Sequence, residues 1–211
     1  MNTTTDIVWL QDDLRIADNP LFHFTDTPSH LLCLYVVDEK WLAPLIEGES
    51  TPRMGPARLR FLWQSLMELR GELLQRGSDL LVRVGKPSKV VIELAASLNA
   101  RQVRVAEHPG VEERAHIQAV AASLPSETSV QCMESGRLFD RQALPFEQAA
   151  LPDSFSAFRR SVEQVCVVPE NRSAPVTLPS WPDAPRGFPP LKAVCEQSAT
   201  WQPDNRQGYA Y

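Results

Sequence analysis

A short apolar run near the start of the chain ends abruptly in a cluster of charged residues. Ile7–Leu10 is followed by the adjacent carboxylates of Asp12 and Asp13, then by Arg15 and the turn sequence 18–20, Asp-Asn-Pro. A short apolar run bounded by turn residues predicts a buried strand. In open α/β sheets, ligands bind beyond the carboxyl ends of the strands, so we expect this charged cluster to lie at a binding edge.

Apolar runs and helical patterns alternate as far as about residue 130. The predicted strands after the first are Leu31–Val37, Asp79–Val84, Gln102–Ala106 and Val130–Met133. The predicted helices are Pro56–Gln75, Lys89–Leu98 with Ser88 as its N-cap, and Val111–Leu124. This alternation predicts an α/β fold, a doubly wound and mainly five-stranded parallel sheet with right-handed crossovers.

The pattern changes after residue 140. One short helix is predicted near Ser154–Gln164, and eight prolines occur between residues 169 and 211. Because proline removes a backbone donor and disfavours helix, we divide the chain into a domain, 1–168, and an extended Pro-rich arm, 169–211. Large apolar side chains rarely punctuate a free linker. We therefore expect residues Phe155–Trp201 to pack along the domain or against a second copy through four aromatic residues: Phe158, Trp181, Phe188 and Trp201.

The composition limits the classes of protein to which the chain can belong. The chain is 43% hydrophobic and 22% charged, as is ordinary for a globular protein, and it has no apolar stretch of the roughly 20 residues that span a bilayer. No basic segment precedes an apolar one at the N-terminus, and the four cysteines form no CxxC pair. We expect a cytoplasmic protein without a metal site. The net charge of −5 makes DNA binding by this chain alone unfavourable.

Several motifs resemble the photolyase/cryptochrome family. The family typically begins W-F-R-x-D-L-R-x-x-D-N-P, which Trp9 and residues 13–15 and 18–20 match, whereas Gln11 departs from the usual Arg. Residues 55–70 resemble its G-x-x-R-x-x-F-L-x-x-S-L-x-x-L-R helix, and residues 77–87 resemble its G-S-x-L-x-V-R-x-G-x-P turn. The sequence L-P-F at 144–146 with F-S-A-F-R at 155–159 resembles the DASH cryptochrome branch most. The resemblance covers residues 5–191.

The resemblance implies the Rossmann-like N-terminal domain of a photolyase or cryptochrome. In that family this domain carries a light-harvesting antenna, a folate of the methenyltetrahydrofolate kind or a flavin. A larger helical domain carries the catalytic FAD and the lesion-binding surface. Since that domain would follow the present chain, we expect no catalytic FAD, no catalytic residues and no repair activity in this chain alone.

The resemblance also implies where an antenna would bind. Glu107 occupies the position of a family Glu that binds the pterin ring, and two carboxylate oxygens suit the pterin's N–H donors. The residue before it is often Asn in the family and is Ala106 here. The predicted cofactor-binding residues come from the loops after the first, second and fourth strands: Gln11, Asp12, Asp13, Leu14, Arg15, Asp38, Lys40, Glu107 and His108.

Each of these residues also has a structural interpretation. Asp13 and Arg15 can form an ion pair that fixes a turn, and Glu107 can be a solvated loop carboxylate. His108 has no partner at metal-ligand spacing, and His116 is expected on a polar surface. The arginines of the long helix are expected to be solvated rather than to form a DNA track: Arg58, Arg60, Arg70 and Arg76.

Three functions remain open at this stage. The chain can be a module that binds a chromophore or nucleotide-like ligand, without repair activity. It can be an interaction or structural module with a vestigial pocket that docks a partner or forms a homodimer. It can contribute to deoxyribodipyrimidine photolyase activity if a separate protein supplies the flavin domain.

Overall fold

A computed structural model describes residues 3–139, 141–166 and 170–189. Its centre is a five-stranded, all-parallel sheet of strand order β3-β2-β1-β4-β5. The strands are β1 (Thr5–Leu10), β2 (His30–Asp38), β3 (Leu80–Gly85), β4 (Gln102–Ala106) and β5 (Ser129–Met133). The helices are α1 (Glu39–Leu42), α2 (Pro56–Gln75), α3 (Pro87–Ser97), α4 (Val111–Ser123) and α5 (Phe155–Val165). The predicted fold is confirmed.

The sheet is buried on both faces, as its nearly continuous apolar strands require. Alternate residues of β1 point to opposite faces, so Val8 and Leu10 join one core cluster while Ile7 and Trp9 join the other. The first cluster includes the apolar stripe of α2, and the second includes apolar residues of α3 and α4. Among the described residues, no helix is both long and apolar enough to cross a bilayer.

Two expectations about the helices need correction. Helix α3 begins at Pro87, and Ser88 is a buried residue of its first turn and not its N-cap. Proline is pre-organised for the first helical position, which explains the earlier start. Arg70 is not solvated, because its Nε lies 2.6 Å from Oδ1 of Asp79, which is buried where β3 begins. The short helix predicted near Ser154–Gln164 is present as α5, and the Ser154 hydroxyl caps it by accepting from the Ala157 N–H.

Residues 170–189 run without regular helix along the free edge of β3. Gly187 forms a parallel bridge with Leu81, and Ser180 forms one with His30 at the start of β2. Trp181 and Phe188 pack against the two core clusters, as expected, whereas Trp201 lies outside the described residues. Phe158 instead contacts Phe146 and Phe155 near α5. The arm therefore covers the β3 edge of the sheet and buries apolar surface there.

Candidate functional site

The strand order brings three loops to one edge of the sheet. β1 is central, and its neighbours β2 and β4 run parallel to it, so the segments after Leu10, Asp38 and Ala106 emerge side by side. The nine predicted site residues all lie on these segments. They do not form one pocket, because the structure divides them among three separate sets of contacts.

The first set lines a small cavity that we call the edge cavity. Three of the predicted site residues, Gln11, Asp12 and Asp38, line it. Three aromatic residues and, from α4, two glutamates and a histidine complete most of its wall. The full lining is Trp9, Leu10, Gln11, Asp12, Tyr35, Val36, Asp38, Trp41, Pro87, Glu112, Glu113 and His116. Its volume is about 30 Å³. Oε1 of Gln11 is buried there without a hydrogen-bond partner among the described residues. A buried, unpaired acceptor is costly unless something supplies a donor.

Asp38 holds two walls of the edge cavity together. Its Oδ1 accepts the Lys40 N–H at 2.9 Å and so caps α1, while its Oδ2 lies 3.3 Å from Nε2 of His116 on α4. His116 is buried, which corrects the expectation of a surface histidine. The Lys40 side chain itself is on an exposed residue, so its backbone N–H and not its ammonium group reaches the site.

His108 connects the edge cavity to the loop after β4. Its Nδ1 accepts the Gly110 N–H at 3.0 Å, and its Nε2 lies 2.8 Å from Oδ2 of Asp12. Since Nδ1 acts as an acceptor, the ring proton is on Nε2 and is donated to Asp12. Asp12 therefore has a partner within the protein, and the pair fixes the loop after β1 against the loop after β4.

The second set is the turn formed by Asp13, Leu14 and Arg15. Nε and Nη2 of Arg15 each donate to the Asp13 carboxylate at 3.0 Å, and the Ser135 hydroxyl donates to it at 3.1 Å. Partial burial raises the pKa of Asp13, but the hydrogen bonds from Arg15 outweigh it and hold the pKa below its ordinary value. Leu14 packs on the core. These three residues stabilise the turn and do not line the edge cavity.

The third set surrounds Glu107. Its two carboxylate oxygens accept from Arg137 at 2.7 Å and from Arg141 at 2.9 Å. Both arginines also approach Glu134, at 3.0 and 3.6 Å. Burial is the largest single influence and raises the pKa of Glu107, but the hydrogen bonds and charges of Arg141 and Arg137 together outweigh it, so its pKa lies below the ordinary value. Glu107 is therefore an ion-paired residue and not a freely solvated one.

A larger cavity of about 710 Å³, which we call the outer cavity, lies beside this ion-pair network. Its walls are mostly apolar and its rim carries the two arginines; it is lined by Arg137, Phe139, Arg141, Gln142, Leu144, Pro145, Phe146, Glu147 and Leu151. Sequence reasoning missed Arg137, Arg141 and His116 as members of the site. Arg137 and Arg141 lie some thirty residues beyond Glu107, and no local pattern links them to it. No group of three potential metal ligands occurs in the described ranges.

Comparison with known proteins gives a consistent assignment for most of the chain. The family model for DNA photolyase matches residues 6–180. Cryptochrome DASH of Natronomonas pharaonis is 33% identical over 178 residues, covering 83% of this chain and 37% of that protein. Cryptochrome DASH of Gloeobacter violaceus is 33% identical over 195 residues, covering 92% of this chain and 39% of that protein. The chain thus spans about two fifths of the length of these curated relatives.

Solved structures agree with the fold. The crystal structure of the Synechocystis sp. PCC6803 cryptochrome superposes with a TM-score of 0.80 at 26% identity, covering 92% of this chain and 41% of that one. A Sulfolobus tokodaii photolyase, described with two FAD molecules and a novel light-harvesting cofactor, superposes with a TM-score of 0.68 at 19% identity. At that identity the second match shows the shared fold alone.

Proposed function

This chain belongs to the DNA photolyase family, whose N-terminal α/β domain it spans, and we propose that this domain is a chromophore-binding module. The ligand is a planar heterocycle with ring N–H donors, such as the pterin of a folate or the isoalloxazine of a flavin. It binds at the carboxyl edge of the sheet, in the edge cavity between β1, β2 and α4.

The observation that carries this proposal is the unpartnered Oε1 of Gln11. It is a buried acceptor, and three aromatic residues, Trp9, Tyr35 and Trp41, line the same cavity as Gln11. A flat ring with an N–H beside a carbonyl satisfies such an acceptor and stacks on aromatic walls. The residues present thus fit the donor pattern and the apolar surface of either ring system. When bound, such a ring supplies absorption of near-ultraviolet or blue light.

The size of the edge cavity sets a condition on binding. A volume of about 30 Å³ is roughly the share of one water molecule in the liquid. Sites for drug-sized ligands occupy about 300–1,000 Å³. A wall of the edge cavity must therefore move before a heterocycle enters, and the wall that contains Trp41 belongs to a short helix rather than to the sheet.

A folate has an alternative location at Glu107. The family resemblance assigns this carboxylate to the pterin, and the neighbouring outer cavity, at about 710 Å³, is large enough for a whole folate. However, both oxygens of Glu107 are already bound by Arg137 and Arg141. A pterin would have to replace these charged hydrogen bonds, which favours the edge cavity for the proposed ligand.

Titration of the purified protein with FMN, FAD and methenyltetrahydrofolate, followed by fluorescence, tests the proposal and separates the two ligand sources. Gln11→Met keeps the volume and removes the acceptor, which is expected to cost about 0.5–1.5 kcal/mol, or roughly a twofold to tenfold loss of affinity. Gln64→Met, on the exposed side of α2, is the matched control and leaves affinity unchanged.

Two outcomes would contradict this assignment. If Glu107→Gln weakens folate binding roughly tenfold or more while Gln11→Met has no effect, the ligand lies at Glu107 and not in the edge cavity. If none of the three ligands binds at micromolar concentration, the chain is not a chromophore-binding module. The second candidate function then takes precedence.

That second candidate is an interaction module, and the amphipathic helix α5 favours it. Phe155 and Val165 at its two ends are 75% and 62% exposed. Clustered exposed apolar side chains commonly mark interaction sites. In the family, a helical flavin domain would cover such a surface.

Co-purification tests this second function. The helical domain of a DASH cryptochrome, expressed separately, is expected to bind the wild-type chain, and Phe155→Glu is expected to abolish binding. Light scattering of the chain alone tests for a homodimer. The dimer fraction of the wild-type chain is expected to rise with protein concentration, and the dimer fraction of Phe155→Glu is expected to be lower. A protein that is monomeric at all concentrations and does not bind the helical domain would exclude both partners.

A further inference from the structure

Residues 39–54, which we call the flap, form one wall of the edge cavity. The flap starts with α1, which carries Trp41, and continues as a loop closed by a bridge between Pro44 and Pro52. Its end returns to its beginning, because the Met54 N–H donates to the Trp41 carbonyl at 2.8 Å and the Arg53 N–H donates to the Ala43 carbonyl at 3.0 Å. The flap is thus one connected unit, and movement of its loop is coupled to Trp41.

The flap is fastened to α4 at two points on opposite sides of the cavity wall. On the inside, Asp38, which caps α1, faces His116. On the outside, the Arg53 guanidinium reaches the Glu112 carboxylate at 3.4 Å. Glu112 and His116 both line the edge cavity, so each fastening ties the flap to a residue of the opposite wall.

We propose that the flap gates the edge cavity and that the Arg53–Glu112 ion pair is its latch. This inference rests on the proposed ligand-binding function of the cavity. With the latch closed, the cavity has room for little more than a water molecule, whereas release of the latch frees the loop between the buried Leu42 and Met54 and lets the Trp41 side chain turn away from α4, which admits a flat ring.

The properties of the Arg53–Glu112 pair suit a latch that opens readily. Arg53 and Glu112 side chains are 31% and 45% exposed, and exposed ion pairs contribute little and are screened by salt. Glu112 also lies in the first turn of α4, where the helix dipole stabilises a carboxylate after the pair separates. At the two ends of the loop, Leu42 and Met54 are buried in the core, so the loop between them can move without unfolding the domain.

The flap also differs from its surroundings in what it exposes. Leu45 and Ile46 at the loop tip are exposed, while the strand ends beneath it are buried. A segment with few buried contacts and a buried root opens locally more easily than the sheet does. The latch is therefore expected to set how often the flap opens.

Hydrogen–deuterium exchange of residues 39–54 tests the latch without any ligand. Arg53→Glu places two carboxylates together and is expected to speed exchange in the flap about twofold to fivefold, with no change in the strands. Glu112→Arg is expected to do the same, and the double variant Arg53→Glu/Glu112→Arg restores slow exchange. Lys89→Glu breaks a comparable exposed pair with Glu93 on α3 and is the control that leaves the flap unchanged.

Stopped-flow binding of FMN then tests the gate. The single charge variants are expected to bind two to five times faster than the wild-type protein, and the double variant is expected to bind at the wild-type rate. Unchanged flap exchange in both single variants overturns the latch. Faster exchange with an unchanged association rate overturns the gate. If FMN binds to none of the variants, both the gate and the proposed function are wrong. The hydrogen–deuterium exchange result then still shows whether the Arg53–Glu112 pair acts as a latch.

Discussion

Asp38 and His116 face each other across the edge cavity, with Oδ2 of the carboxylate 3.3 Å from Nε2 of the imidazole. Both residues are buried, and they lie 78 positions apart in the sequence. Because the other oxygen of Asp38 caps α1, one side chain joins the last residue of β2, the first turn of α1 and the middle of α4. The geometry of the cavity thus depends on this carboxylate.

Removing the Asp38 side chain is expected to destabilise the domain. Asp38→Ala loses the cap of α1 and leaves His116 without its partner, which should lower the free energy of unfolding by about 1–2 kcal/mol. Asp38→Asn keeps an oxygen for the Lys40 N–H and an amide for His116, so it should cost clearly less. Urea denaturation followed by circular dichroism measures both, and equal losses in the two variants would exclude the capping role.

The sequence was sufficient to predict the fold because its signals are local. The apolar run of β2 and the helical spacing of α2 are each visible within one segment, and α2 was predicted with its observed ends, Pro56 and Gln75. The start of α3 was misplaced by two residues, because Ser88 has the right residue type for a cap while Pro87 is equally suited to the first turn.

The site was less predictable because its contacts are long-range. The burial of His116 depends on how α4 packs against β2, and the polar residues around it in sequence indicated a surface. The Asp13–Arg15 pair is two residues apart and was visible as an alternative. Glu107 was singled out by resemblance, but its arginine partners follow a strand and a loop that carry no motif for them.

Arg101 is expected to be important for the stability of the domain. Its Nε and Nη2 each donate to the Asp6 carboxylate at 2.9 Å, and Asp6 is fully buried on β1. Arg101→Ala leaves that carboxylate buried without its partner, which should cost about 3–5 kcal/mol. The Arg101 side chain also contacts the exposed Asp26, which serves as the comparison.

A double-mutant cycle measures the Asp6–Arg101 pair. Asp6→Ala together with Arg101→Ala should cost less than the sum of the single losses, with a coupling of about 0.5–3 kcal/mol. Asp26→Ala should cost less than about 1 kcal/mol, because that side chain is exposed. Additive losses at Asp6 and Arg101 would show that the pair does not contribute to stability.

The arm along β3 is expected to be part of the folded unit. Trp181 is 8% exposed, packs in the core cluster below α3 and α4, and donates from Nε1 to the Ala184 carbonyl at 3.1 Å. Trp181→Ala should lower the free energy of unfolding by about 3–5 kcal/mol, as for large core residues generally. Val176→Ala, at a position 88% exposed in the same arm, should change it by less than about 0.5 kcal/mol. Comparable effects of the two substitutions would mean that the arm is not docked in solution.

The ion pairs of Glu107 are expected to make stability fall in acid. The folded-state pKa of Glu107 lies below its ordinary value of 4.5, because the hydrogen bonds from Arg141 and Arg137 outweigh the effect of burial. A depressed carboxyl pKa contributes stability that is fully present above the unfolded-state pKa and is lost as the pH falls through the folded-state pKa. The difference between wild type and Glu107→Gln should therefore be largest above the unfolded-state pKa of 4.5 and should shrink as the pH falls below it.

Since Glu107 and both arginines are about one-third to one-half exposed, that difference should not exceed about 1 kcal/mol, and 1 M salt should reduce it. Urea midpoints at four pH values between about 3 and 7 measure it. Glu49→Gln, in the exposed part of the flap, is the control for loss of a carboxylate as such. If Glu107→Gln lowers the free energy of unfolding by the same amount at about pH 3 and pH 7, the charge of Glu107 does not stabilise the fold. Its arginine partners would then be held in place by other contacts.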